Sequence, residues 1–222
     1  MVVGLRAEAR IARRSGWLVA IGGGTAPGAE RAARELVAQG VAGLVSFGLA
    51  GGLDPALRAG DLVIPSFVLL AGSPLPTDPT LLGRADGSTL LCGETAVASA
   101  AEKRHLFQMS GAGAVDLESG AVAQVALEHA LPFAALRAIC DPATRDLPPA
   151  ALVALDARGA IGLLSVLRSL AARPGQLLAL VGLARDAAAA RRSLVRATPS
   201  PNPLPQGERA FFPLSPCGRG LG

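Results

Sequence analysis

The chain has no tyrosine, one tryptophan and six phenylalanines, so aromatic residues make up only 3% of it. Its core must therefore be built from Ala, Leu and Val, which requires close packing of helices on sheet. Cysteine is equally sparse. Cys92, Cys140 and Cys217 show no CxxC spacing and no neighbouring histidine pair. That argues against a zinc centre or a disulfide framework, and no metal is expected. The two histidines, His105 and His129, fall on predicted amphipathic helices and read as surface or core residues.

No apolar run approaches the roughly 20 residues needed to span a bilayer. The nearest, residues 159–184, is broken by Arg168 and Arg173. Arg6, Arg10, Arg13 and Arg14 interrupt the pattern a secretion signal would need, and a cytoplasmic location is the expectation. The net charge of +4 comes from scattered arginines. Without aromatic interleaving or a recognition motif, the charge does not point to nucleic acid. An Ala- and Arg-rich coding bias accounts for it equally well.

What is present is alternation. Residues 2–5 and 17–21 read as short strands. Gly22-Gly23-Gly24 then opens into a helix with Thr25 as N-cap and Pro27 early, where a missing N–H costs little. Ala29, Ala32, Ala33, Leu36 and Val37 mark one apolar helix face, and Gly40 stops the helix. Residues 41–47 form the next strand. The stretch Gly48-Leu49-Ala50-Gly51-Gly52 reads as a glycine-rich turn at that strand's end, where α/β proteins usually bind ligands. Residues 62–70 read as one strand, 72–87 as a loop, 89–92 as a strand and 99–107 as a helix. A short strand ends at Val115, a helix covers 118–130, an apolar strand 133–140, and two helices 150–172 and 175–197. The fold class expected is a three-layer α/β/α domain around a mixed, mostly parallel central sheet, over residues 1–197. Residues 198–222 hold six of the seventeen prolines and read as a disordered tail.

Three carboxylates stand where chemistry is expected. Asp141 follows the apolar strand, where partial burial would let it hold a proton; an Asp-Pro turn or helix N-cap explains it too. Glu118 lies between a strand and a helix beside Asp116, placed to accept hydrogen bonds from a diol or merely to favour the helix dipole. Glu8 follows the first strand and reads as a base or as a solvated helix residue. Gly22, Gly23 and Gly24, with Arg6, could cradle phosphate at a helix N-terminus.

Five segments occur in one order: Gly4-x-x-x-Glu8, Ile21-Gly22-Gly23-Gly24, Phe47-Gly48-Leu49-Ala50-Gly51-Gly52-Leu53-Asp54-Pro55, Val115-Asp116-Leu117-Glu118-Ser119 and Arg137-Ala138-Ile139-Cys140-Asp141. This order resembles the nucleoside phosphorylase and methylthioadenosine/adenosylhomocysteine nucleosidase superfamily, over about residues 1–160. The wording around Glu118 and Asp141 is similar to its hopanoid-associated phosphorylase branch, which implies release of adenine from adenosylhopane. The resemblance implies Asp141 as the acid protonating the purine and Glu118 as the carboxylate holding the ribose hydroxyls. The family's water-activating Glu aligns more naturally with Ala9, and Glu8 lies next to that position. It further implies substrate contacts from Gly48, Ala50, Gly51, Glu94, Val97, Asp116, Leu117 and Cys140, with Ala96 where the family stacks an aromatic on the purine. No cofactor is implied, and phosphate enters only as an optional co-substrate. Members pair as homodimers. A lipid-linked substrate would add transient contact with a membrane surface through Arg185, Arg191, Arg192 and Arg196. A general methylthioadenosine/adenosylhomocysteine nucleosidase and a non-catalytic nucleoside-binding module remain as alternatives.

Overall fold

The computed structural model describes residues 1–148, 175 and 177–198. The helix expected over 150–172 and the tail from 199 onward lie outside the described residues.

Nine strands form one sheet. They are β1 (Val2–Val3), β2 (Ala20–Ile21), β3 (Leu44–Gly52), β4 (Leu62–Val63), β5 (Phe67–Leu70), β6 (Ser73–Pro76), β7 (Thr89–Cys92), β8 (Ala114–Asp116) and β9 (Phe133–Asp141). Five described helices accompany them: α1 (Arg6–Ala12), α2 (Ala26–Ala38), α3 (Ala100–Ser110), α4 (Ser119–Glu128) and α5 (Leu177–Ala197). The order β2-β1-β3-β8-β7-β5-β6 is mixed, with β9 lying against β3 and β4. Pairings β1–β2, β1–β3, β3–β9, β5–β7 and β7–β8 are parallel, while β3–β8, β4–β9 and β5–β6 are antiparallel.

The local signals behaved as physics requires. Thr25 caps α2 by accepting the Gly28 N–H at 3.3 Å, and Gly40 turns the chain at φ 75°. Ser99 caps α3 in the same way, at 3.1 Å from the Glu102 N–H. Where contacts are tertiary, the expectations needed correction. Residues 62–70 are two short strands, not one, and 73–76 form a hairpin strand inside the expected loop. The second strand is confined to Ala20–Ile21, and the helix α1 directly follows β1.

The glycine-rich turn is the main correction: Gly48, Gly51 and Gly52 all lie inside β3. At Gly48 the missing side chain is what counts. A Cβ there would sit 2.6 Å from Arg137 Nη1 and 2.7 Å from Glu8 Oε1.

The core lies on both faces of the sheet. On one, Ala29, Ala33 and Leu36 of α2 and Val122 and Val125 of α4 pack against Val2, Leu44 and Ile139. On the other, Ala9 and Ala12 of α1 and Ala190 and Leu194 of α5 pack against Val45, Phe47 and Leu136. Strand alternation divides β3 and β9 between the two faces. The result is the three-layer α/β/α arrangement. The carboxyl ends of β1, β3 and β9 converge where the layers leave an opening.

Candidate active site

A cavity of about 340 Å³ occupies that opening. Its wall includes Gly4, Glu8, Gly24, Leu49, Asp116, Leu117, Glu118, Cys140 and Asp141. The three carboxylates singled out by sequence thus meet in one place, from α1, the β8–α4 junction and the end of β9.

Glu8 is 3% exposed, not solvated. Its Oε2 accepts the Leu5 N–H at 2.7 Å, closing the first turn of α1 on itself, and its Oε1 accepts the Leu49 N–H at 2.9 Å. Burial raises its pKa, opposed by the Arg137 charge and by these backbone N–H groups. Ala9, the position that aligns with the family's water-activating Glu, is in the core beneath α1.

Glu118 stands at the start of α4 but does not cap it. Its Oε1 instead accepts the Gly24 N–H at 3.1 Å, and its Oε2 lies 3.9 Å from Arg137 Nη1. A Cβ at residue 4 would fall 2.6 Å from that Oε2, which explains glycine there. Burial raises the Glu118 pKa to about 7, helped by the nearby Glu8 and Asp116 charges and opposed by Arg137. Asp116 supplies the local turn in its place, accepting the Ser119 N–H at 3.2 Å and the Ser119 hydroxyl at 2.6 Å.

Arg137 organises this side of the site and was missed in the sequence. It is 1% exposed in the middle of β9. Its Nη2 is 2.5 Å from Asp116 Oδ2 and donates to Ser46 Oγ at 2.6 Å. The available signal was a lone charge inside an apolar strand, because a buried charge needs partners.

Asp141 is 5% exposed and sits just past an irregularity in β9: Ala50 pairs with Ile139 but Gly51 pairs with Asp141, so Cys140 is an extra residue. Such bulges re-aim the following side chain. Its Oδ2 is 2.6 Å from Lys103 Nζ, and its Oδ1 is buried with no partner among the described residues. Burial raises the Asp141 pKa, with Lys103 opposing. Among the described residues no backbone N–H donates to the Asp141 carboxylate, as an N-cap or Asp-Pro turn would require. The Cys140 thiol is pushed up to about 12 by burial and the Asp141 charge, so it stays protonated.

Other expectations fare differently. Ala50, Gly51, Val97 and Leu117 line the cavity, as do Thr95 and Ala96. Gly48 lies beneath it, against Glu8 and Arg137. Glu94 is exposed and outside the wall, as is Arg6, and Gly22 and Gly23 are also outside it. Of the glycine run only Gly24 reaches the cavity, and its N–H is already taken by Glu118. Among the described residues no cluster of His, Cys, Asp and Glu is arranged to hold a metal.

The carboxylate-lined cavity at the strand ends has the position and size that suit a small-molecule ligand. A family model described as the phosphorylase superfamily matches residues 84–162. Comparison with curated proteins finds no match. Among solved structures, the Helicobacter pylori 5′-methylthioadenosine/S-adenosylhomocysteine nucleosidase is similar at 17% identity and TM-score 0.60, over 88% of this chain and 95% of that one. The Streptococcus pyogenes S-adenosylhomocysteine nucleosidase is similar at 17% identity and TM-score 0.57, over 64% and 83% of the two chains. The Helicobacter pylori futalosine hydrolase follows at 18% identity and TM-score 0.56, over 63% and 85%. The family model thus covers about a third of the chain, and the solved structures share its fold.

Proposed function

We propose that this protein cleaves the N-glycosidic bond of an adenine nucleoside, with water as nucleophile and adenosylhopane as its substrate. The observation that carries the reading is the trio Glu8, Glu118 and Asp141, buried in the wall of one cavity with every pKa raised. Asp141, protonated, donates to the purine ring as the bond to C1′ breaks, so the base leaves neutral. Glu118 accepts hydrogen bonds from the ribose hydroxyls, contacts that strengthen as positive charge grows on the sugar. Glu8, ionised, takes a proton from the water that bonds to C1′. Free adenine and a ribose bearing a new hydroxyl result.

Water is favoured over phosphate by the occupancy of the anion-binding donors. The Leu5 and Leu49 N–H groups hold Glu8 and the Gly24 N–H holds Glu118. Arg137 is already shared among Asp116, Glu118 and Glu8. Leu49, Leu117, Leu147 and Leu183 give the wall an apolar stretch that suits a hydrocarbon 5′ substituent. Exposed Arg185, Arg192 and Arg196 on α5 suit brief contact with an anionic membrane surface during delivery, and two copies acting as a homodimer complete the reading. Among the described residues no helix is long and apolar enough to cross a membrane.

The test is adenine release from adenosylhopane and from methylthioadenosine, each with and without phosphate. Adenosylhopane should be preferred, and phosphate should not raise the rate. Faster turnover of methylthioadenosine would favour the general nucleosidase, and binding of adenosine analogues without any turnover would refute catalysis.

A further inference from the structure

Lys103 is the only lysine in a chain with 21 basic residues. It is also wholly buried, which is exceptional for its residue type. Its ammonium has three protons and three acceptors: Asp141 Oδ2 at 2.6 Å, the Arg145 carbonyl at 2.8 Å and the Pro142 carbonyl at 3.2 Å. A compact ammonium satisfies such a tripod, whereas the planar fork of arginine is built for paired oxygens. Lys103 itself does not line the cavity, although Asp141 does.

We infer that Lys103 is the positioning residue of this site, gripping Asp141 through Oδ2 so that Oδ1 is the oxygen left for the substrate's base, and strengthening Asp141 as an acid. The inference rests on the acid role proposed above. When the proton leaves Oδ1 for a ring nitrogen of the base, the carboxylate that remains is already paired with a fixed cation. No proton leaves Lys103. The two carbonyls tie this cation to the loop directly after β9, so acid and partner move as one unit.

The groups facing Asp141 from all sides are Lys103 on α3, Arg145 in the following loop, Asp186 on α5 and the neutral Cys140 thiol. Lys103 is the one in contact. Arg145 is turned toward Asp186, with which it forms its own ion pair.

The experiment is Lys103→Met, compared with the full-length wild type. Loss of the cation weakens Asp141 as an acid. The alkaline limb of the pH profile of kcat/KM should then move up by at least about one pH unit, and kcat on adenosyl substrates should fall about 100-fold. A 4-nitrophenyl riboside, whose leaving group needs no proton, should lose less than about 3-fold. An unmoved limb, or equal losses on both substrates, would overturn the inference and leave Lys103 a purely structural group. A second measurement separates this from failure of the proposed reaction. With ε-13C-lysine labelling the protein has one lysine side-chain resonance, which should follow the titration of Asp141 in the wild type and lose that inflection in Asp141→Asn. A resonance indifferent to Asp141 would refute the pairing, whether or not adenine is released.

Discussion

Replacing Glu118 by Gln should make the protein more stable in alkali while making it a poorer enzyme. Glu118 is raised from 4.5 to about 7 by burial among other carboxylates. At about 1.4 kcal/mol per pH unit, that difference is worth about 3 kcal/mol against the ionised folded state. The sign follows from proton counting. Below pH 4.5 the group is protonated in both states and costs nothing. As pH rises towards 7 the unfolded chain ionises first, so the folded state holds the extra proton and stability falls. Above 7 the full penalty persists. Between pH 5 and pH 8.5 the loss due to this group is about 2.5 kcal/mol. For a chain of this length that corresponds to about 5–10 °C in Tm. Gln is nearly isosteric, does not titrate, and keeps an oxygen for the Gly24 N–H. Tm should therefore be measured for both proteins at pH 5, 7 and 8.5. The variant should gain on the wild type by about 5–10 °C from the first pH to the last, while its kcat/KM falls. A gap that is constant with pH, or that narrows in alkali, would refute the reasoning.

Glu8→Gln should abolish the acid limb of the pH–rate profile, whose midpoint in the wild type lies above the ordinary glutamate range because burial raises Glu8. Calorimetry with an adenosine analogue should show binding retained; lost binding would argue against a base. Arg137→Met leaves Asp116 buried without its cation and should cost about 3–5 kcal/mol in urea unfolding. A cost below 1 kcal/mol would mean that the ion pair is not formed. Gly48→Ala drives a methyl to within 2.6 Å of Arg137 Nη1, so it should destabilise by about 1–3 kcal/mol and lower kcat/KM. Wild-type kinetics in this variant would show that Glu8 and Arg137 do not approach β3 so closely.

The elements that were legible in the sequence are those fixed by their own residues. The strand Thr89–Cys92 and the helix capped by Thr25 fall where alternation and capping put them. The three carboxylates stood out in the sequence because each lies at or shortly after the end of a recognisable strand. The meaning of Gly48 was not, since its neighbours are Glu8 and Arg137, 40 and 89 positions away along the chain. Lys103 was hidden for a similar reason. It stands in Ala100-Ala101-Glu102-Lys103-Arg104-His105, where four consecutive polar positions look like a solvated face. Only the bulge at Cys140 and the loop after it create the acceptors that make burial of Lys103 tolerable. Long-range pairing of charges leaves no periodic trace.

The distribution of these charges explains why the two ends of the cavity differ chemically. At the end proposed to hold the sugar, Asp116, Glu118 and Glu8 share the single guanidinium of Arg137, so that region is negative whenever the carboxylates ionise. Negative potential stabilises a cationic ribose and discourages entry of a phosphate dianion, since both effects come from the same field. At the end proposed to hold the base, one carboxylate faces one ammonium. There the field is nearly balanced, and a proton can leave Asp141 without leaving an isolated buried charge. A site meant to hold phosphate would need the opposite arrangement, with spare cations and free N–H groups beneath the sugar. Here Leu5, Gly24 and Leu49 have already given theirs to carboxylates. The hydrolysis proposed above, rather than transfer to phosphate, is the chemistry this pattern of charge suits.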